Sequence, residues 1–236
     1  MFLAEMMKVK RTPFFWLHLL FPLLGAGAFI CYFAAYGSQE ETTRLRLILD
    51  IIMTVFPILC SVVTGMAVQQ EEASCFYGLL AREKRGSALL VKLVFLWGMG
   101  TAATVLLYLG MGVGIRIFSG ENLAELLWSA ALGTAVWGLV PYNFHLFLNL
   151  KFGMGVSVFF GVFESLQVIV YSNIELAGVF RYIPFAWQID WAKDAVSRRE
   201  AEHAAEWGFC LVLSAVFVFL LALWFRRWEG RKNYET

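Results

Sequence analysis

Few residues in this chain have the type and setting to do chemistry, and the foremost is Glu164. It stands in the apolar run FGMGVSVFFGVFESLQVIVYS, 13 residues beyond Lys151, which is about 20 Å along a helix. A carboxyl group at that depth in a bilayer is costly and marks a functional position by default. On a helical wheel it shares a small and polar stripe with Gly153, Ser157, Gly161, Gln167 or Val168, and Tyr171. Two readings of the stripe stand. Gly and Ser admit a neighbouring helix closely, or Ser157, Glu164, Gln167 and Tyr171 line a pathway or a subunit interface.

A partner for acid and base work would be His145, which has Asn149 at i+4 and Pro141 one turn before it. Its depth, counted from Lys151, differs from that of Glu164. His145 is therefore expected to be a satisfied histidine near a helix end, with Pro141 kinking the helix. No H-E-x-x-H and no G-x-x-x-x-G-K-[ST] occurs, so no catalytic or nucleotide-binding motif accompanies these residues. Cys31, Cys60, Cys75 and Cys210 form no C-x-x-C, and with His18, His145 and His203 scattered no metal site is expected.

The elements that position these groups are set by hydrophobicity. Of 236 residues 60% are hydrophobic and 16% charged, an excess that calls for a non-aqueous solvent. Net charge is +1, which gives no electrostatic case for nucleic acid. The expected fold class is all-α: a polytopic membrane protein of about six spans. These lie near Pro13 to Tyr36, Leu47 to Val68, Ala88 to Phe118, Leu123 to Leu150, Phe152 to Ser172 and Trp207 to Phe225. The first is too long for a signal peptide core and is expected to stay as an anchor. Lys92 and Arg116, inside the third span, are expected to snorkel. Gly110 and Gly114 there have G-x-x-x-G spacing, which means close helix packing.

Basic residues set the orientation. Twelve of the 19 Lys and Arg fall on the side of the N-terminus, so both termini are expected in the cytoplasm. Residues 1–12 then form a cytosolic amphipathic segment, 13–230 a single six-helix domain and 231–236 a cytosolic tail. Between the fifth and sixth spans Tyr182, Phe185, Trp187 and Trp191 are expected on extracellular interfacial or re-entrant helices at headgroup level, with a polar helix from Ala195 to Glu206.

One charged island interrupts the apolar pattern: QQEEASCFYGLLAREKRGSALLVK, Gln69 to Lys92. Ala73, Phe76, Leu79 and Leu80 recur at helical spacing, opposite Glu71, Glu72, Arg82, Glu83, Lys84 and Arg85. One cytosolic amphipathic helix, 71–86, is expected, stopped by Gly86, with Ser87 capping the third span. It either rests on lipid headgroups or docks a protein, and its mixed charge favours the protein.

The start MMKVKRTPFFW, the two spans after it, the island with Glu72, Gly78, Leu80 and Lys92, and four more spans resemble the permease subunit of an ABC-2-type transporter. Within that group the chain is most similar to bacterial lantibiotic-immunity permeases. The resemblance implies that 71–86 is the coupling helix gripped by a separate ATPase subunit in two copies, through Glu71, Glu72, Phe76, Gly78, Leu80, Arg82, Glu83, Lys84 and Arg85. It implies a second coupling contact at Asn149 and Lys151, and a second related permease or a second copy of this chain. ATP and Mg would sit on the ATPase, with no cofactor or catalytic group in this chain. The implied setting is the bacterial plasma membrane and the cargo a lantibiotic-like peptide drawn from membrane lipid. Another amphiphile, such as a bacitracin-like peptide, drug or lipid, or a scaffold without transport, remains an alternative.

Overall fold

The computed structural model describes residues 2–10, 12–37, 40–120, 123–173, 183–184, 187–189, 191, 196 and 204–231. These are all-helical. The elements are α1 (Phe2–Val9), α2 (Pro13–Ala35), α3 (Glu41–Glu72), α4 (Tyr77–Leu80), α5 (Arg85–Ser119), α6 (Ala124–Trp137), α7 (Leu139–Lys151), α8 (Met154–Ser172) and α9 (Ala204–Arg227). With α6 and α7 taken as one broken span, six helices among the described residues are long and apolar enough to cross a membrane. Their outer faces expose large apolar side chains, among them Leu24, Ile117, Phe159 and Phe219. In water these would be a liability; against lipid they are ordinary.

Small residues set the helix packing. Gly110 and Gly114 of α5 face Ala26 and Ile30 of α2, and a methyl group on Gly114 would overlap the Ile30 side chain. The G-x-x-x-G spacing therefore does make a close helix contact. On the other side of the bundle α8 lies against α3 at Gly161. A Cβ there would stand 2.8 Å from Ser61 Oγ and 3.1 Å from the Pro57 carbonyl. Gly161→Ala is expected to destabilise by about 1 to 3 kcal/mol through overpacking, whereas Gly155→Ala, with nothing within 4 Å, should be neutral. Thermal unfolding in detergent of both variants checks this; equal melting would disprove the close approach.

The fourth span breaks where Pro141 dictates, one turn earlier. Pro141 donates no hydrogen bond and its ring crowds the carbonyl four residues back, at Trp137. The chain turns at Gly138, whose N–H bonds Thr134 O at 2.9 Å, and the Phe56 ring presses against it at 3.0 Å from where a Cβ would stand.

Several expectations need correction. The second span does not end at Val68: α3 continues to Glu72 and is 32 residues long, about 48 Å, so its last turns pass the thickness of a bilayer core. The island is accordingly not one helix. Cys75 and Phe76 adopt left-handed backbone, φ 51° and 58°, and Phe76 N–H bonds back to Glu71 O at 2.7 Å. That reversal leaves only the single turn α4. Phe76 and Leu79 are still buried, since one turn is enough to seat apolar residues three apart. Gly86 and Ser87 lie inside the first turn of α5, with Lys84 at its N-cap, so neither stops nor caps a helix.

Trp187 and Trp191 are buried, not presented outward. Trp187 packs on Trp137 at 5.3 Å between ring centroids and on Phe209 at 5.7 Å, and the Trp191 ring covers Gly133 of α6. Tyr182, Phe185, most of Ala195 to Glu206, and 232–236 lie outside the described residues.

Candidate functional site

The α3–α5 hairpin is built on a cluster of four charges, with Glu5, Glu71 and Lys92 buried and Lys8 at the exposed edge. Glu71, at the end of α3, is 2% exposed and Lys92, two turns into α5, likewise 2%. Lys92 Nζ lies 2.8 Å from Glu71 Oε1 and 2.8 Å from Glu5 Oε2 on α1. Lys8 completes the set, 2.8 Å from Glu5 Oε1 and 2.5 Å from Glu71 Oε1. Two acids and two bases cancel, so three helix ends share one neutral, largely buried junction. Lys92 thus does not snorkel; its ammonium is held by carboxylates. Burial works to raise the Glu5 carboxyl, but Lys92 and Lys8 outweigh it and hold Glu5 below its ordinary value. Burial likewise works to lower the Lys8 ammonium, and its bonds to Glu5 and Glu71 outweigh that and raise it.

This places the expected coupling residues in two sets. Glu71 faces inward, and a Cβ on Gly78 would stand 2.8 Å from Glu71 Oε2, so Gly78 is what lets the hairpin lie on the cluster. Phe76 is buried against Trp228, 4.9 Å between centroids. Leu80 is half-buried, as are Arg82 and Arg85. Arg82 Nε donates to Gly78 O, and Arg85 donates to Leu80 O and Trp228 O. Glu72 is paired with Arg231. The outer set is Glu83 and Lys84, both exposed, together with Ser74, Cys75 and Tyr77, of which Tyr77 is 74% exposed. Nothing in the residue type of Tyr77 or in its spacing marks it as outward-facing; the reversal at Cys75 and Phe76 turns it out.

Arg231 joins the two turns at this end of the bundle. One nitrogen pairs with Glu72, the guanidinium lies over the Phe76 ring, and a Cβ on Gly153 would collide with it. Gly153 closes the α7–α8 turn at φ +94°, a conformation that suits glycine. Of the second coupling pair, Lys151 is exposed beside the Phe147 and Phe152 rings. Asn149 is fully buried.

Asn149 belongs instead to a polar cluster inside the bundle. Its Nδ2 lies 2.9 Å from Thr64 Oγ1 on α3, 2.9 Å from Ser157 Oγ on α8 and 2.9 Å from His145 O on α7. His145 continues the cluster, with Nδ1 3.0 Å from Ser157 Oγ and Nε2 3.3 Å from Glu164 Oε2. His145 and Glu164 therefore sit at one level, against the expectation that their depths differ. Helix tilt and the reach of two long side chains close a gap that residue counting leaves open.

Ser157, Gly161, Glu164, Val168 and Tyr171 are all buried, so the stripe lies on a packed face of α8; Val168 occupies it and Gln167 is half-exposed. Glu164 is 1% exposed and its Oε1 has no hydrogen-bond partner among the described residues. The arrangement ties α3, α7 and α8 together through hydrogen bonds that water does not reach. No family model, no curated protein and no solved structure matches this chain.

Proposed function

We propose that this chain is the membrane-embedded permease subunit of an ATP-driven exporter of ABC-2 type, moved by an ATPase that binds the α3–α5 hairpin. One observation carries the reading. The hairpin shows Tyr77, Glu83 and Lys84 outward, while Glu71, Lys92, Glu5, Lys8 and Arg231 fix its inner side to α1, α3, α5 and the C-terminal segment. A push on the outer residues is passed to several helices at once, since a packed junction moves as a unit. Mixed charge with an exposed aromatic suits a protein surface.

In this reading the hairpin and both termini face the cytoplasm of a bacterial cell, two ATPase copies carry ATP and Mg, and a second permease or a second copy completes the assembly. The cargo is a lantibiotic-like peptide or a similar amphiphile taken from the membrane. ATP hydrolysis stays on the other subunit and this chain supplies a change of shape.

The test is purification of the tagged full chain from its native membrane, with and without Tyr77→Ala plus Glu83→Arg. Co-purified ATP hydrolysis that disappears in the double variant, at unchanged thermal stability, is the expected outcome. Hydrolysis retained in full, or chemical labelling of Lys84 from the outer face of intact cells, would reject the docking surface.

A further inference from the structure

We infer that the cleft between α2, α3 and α5 is a binding site for the hydrocarbon tail of a neutral amphiphile carrying a hydroxyl or N–H donor, and that His18 reads the donor. The cleft, of about 190 Å³, is walled by Phe21, Pro22 and Phe29 of α2, Ile52 and Leu59 of α3, and Thr104 of α5, with Tyr142 of α7 also lining it. It exists because α2 is drawn onto α5 by Gly110 and Gly114, while bulky side chains face each other between α2 and α3.

Three observations say what covers it. From Leu17 to Phe29 the groove follows α2 for about 18 Å at 1.5 Å per residue, close to half of a hydrocarbon core of about 30 Å. That is the reach of a chain belonging to one leaflet. Its rim continues into the exposed apolar faces of both helices at Leu20, Leu24 and Ile51, so the way in is from lipid. Among the described residues no Asp, Glu, Lys or Arg lines it, which disfavours a charged headgroup inside, where no counter-charge would meet it.

The polar feature is His18. The residue is 7% exposed and its ring lies tilted against that of Phe14, 4.3 Å between centroids. Nδ1 lies 2.7 Å from Phe14 O, an acceptor only, so Nδ1 carries the hydrogen. Nε2 is left buried with no partner among the described residues. A buried ring nitrogen without a donor is a cost to the fold; His18 lines the groove, and a small turn of its ring lets a ligand hydroxyl or amide N–H at the Leu17 end remove that cost. Thr104 adds no competing donor, since its hydroxyl is committed to Gly100 O at 2.9 Å, and neither does Tyr142, whose hydroxyl is hydrogen-bonded to Cys60. Binding is therefore selective for a donor and not for an acceptor. This rests on the membrane setting of the helices and is independent of the ATPase.

The experiment uses the purified full chain in phosphatidylcholine nanodiscs with two photoreactive probes of equal tail length, a long-chain alcohol and its methyl ether. Mass spectrometry should place alcohol adducts on groove residues, exceeding ether adducts by about tenfold, the worth of one buried hydrogen bond. Ala103→Phe, which fills the groove, should remove both. His18→Leu should leave the two probes equal. If Ala103→Phe fails to fold, Thr104→Met serves as the filling variant. Equal labelling of wild type by both probes overturns the role of His18. Adducts spread over the outer face of α2 and unchanged by the filling variant overturn the site. Either result would leave the ATPase test untouched.

Discussion

Lys92→Met is expected to cost about 3 to 5 kcal/mol, the loss found when one member of a buried charge pair is removed. The side chain is similar in length, so packing is largely kept. What changes is that Glu5 and Glu71 are left with only Lys8, whose side chain is one third exposed. Thermal unfolding in detergent should show a large drop in midpoint. Combining Lys92→Met with Glu5→Gln should recover part of it, because the second change removes an unpaired carboxylate; strictly additive losses would refute a shared cluster. A pH signature accompanies the prediction. Glu5 is held below its ordinary value, so its contribution is full above about pH 4.5, the unfolded value, and fades as pH falls through the lower folded value. Lys8 is raised, so its contribution holds below about pH 10.5 and fades as pH climbs through the folded value. Stability contributed by the junction should thus be flat across the neutral range, and the acid loss should shrink in Glu5→Gln.

Glu164→Ala is expected to lower stability by about 3 kcal/mol, and hence the amount of protein in the membrane. It leaves His145 Nε2 buried without a partner, at about 1 to 3 kcal/mol, and opens a space between α3, α7 and α8 that adds a cavity term. Glu164→Gln keeps the size and offers His145 an amide, so it should retain most of the stability. A carboxyl group lining a transport path would behave otherwise: both variants would reach normal abundance and both would lose activity. Quantifying membrane abundance and melting for the pair decides between these roles. The burial of Glu164 at 1% exposure and its bond to His145 favour loss of stability.

The hairpin and the polar cluster show different limits of reading a chain in one dimension. The position of the charged island was visible because charges interrupt an apolar run. Its inner and outer residues were not separable, because Glu71 and Glu72 are neighbours in sequence yet one meets Lys8, 63 positions away, and the other Arg231, 159 positions away. The turn at Cys75 and Phe76 escaped notice because neither residue type favours left-handed backbone; contacts around Phe76 hold it. His145 was set apart from Glu164 by counting residues from a turn, which measures height along an upright helix and ignores tilt.

Hydrophobic runs and small-residue spacing alone determined about six segments of membrane-spanning length, a close helix contact at Gly110 and Gly114, and a small and polar stripe on α8. They could do so because burial in lipid and a period of 3.6 residues are local properties that each segment carries by itself. Which acid meets which base, where the chain reverses, and where a helix stands away from its neighbour were decided by the tertiary structure. Those outcomes depend on groups tens of residues apart arriving at one place, and no periodic pattern encodes the identity of a distant partner.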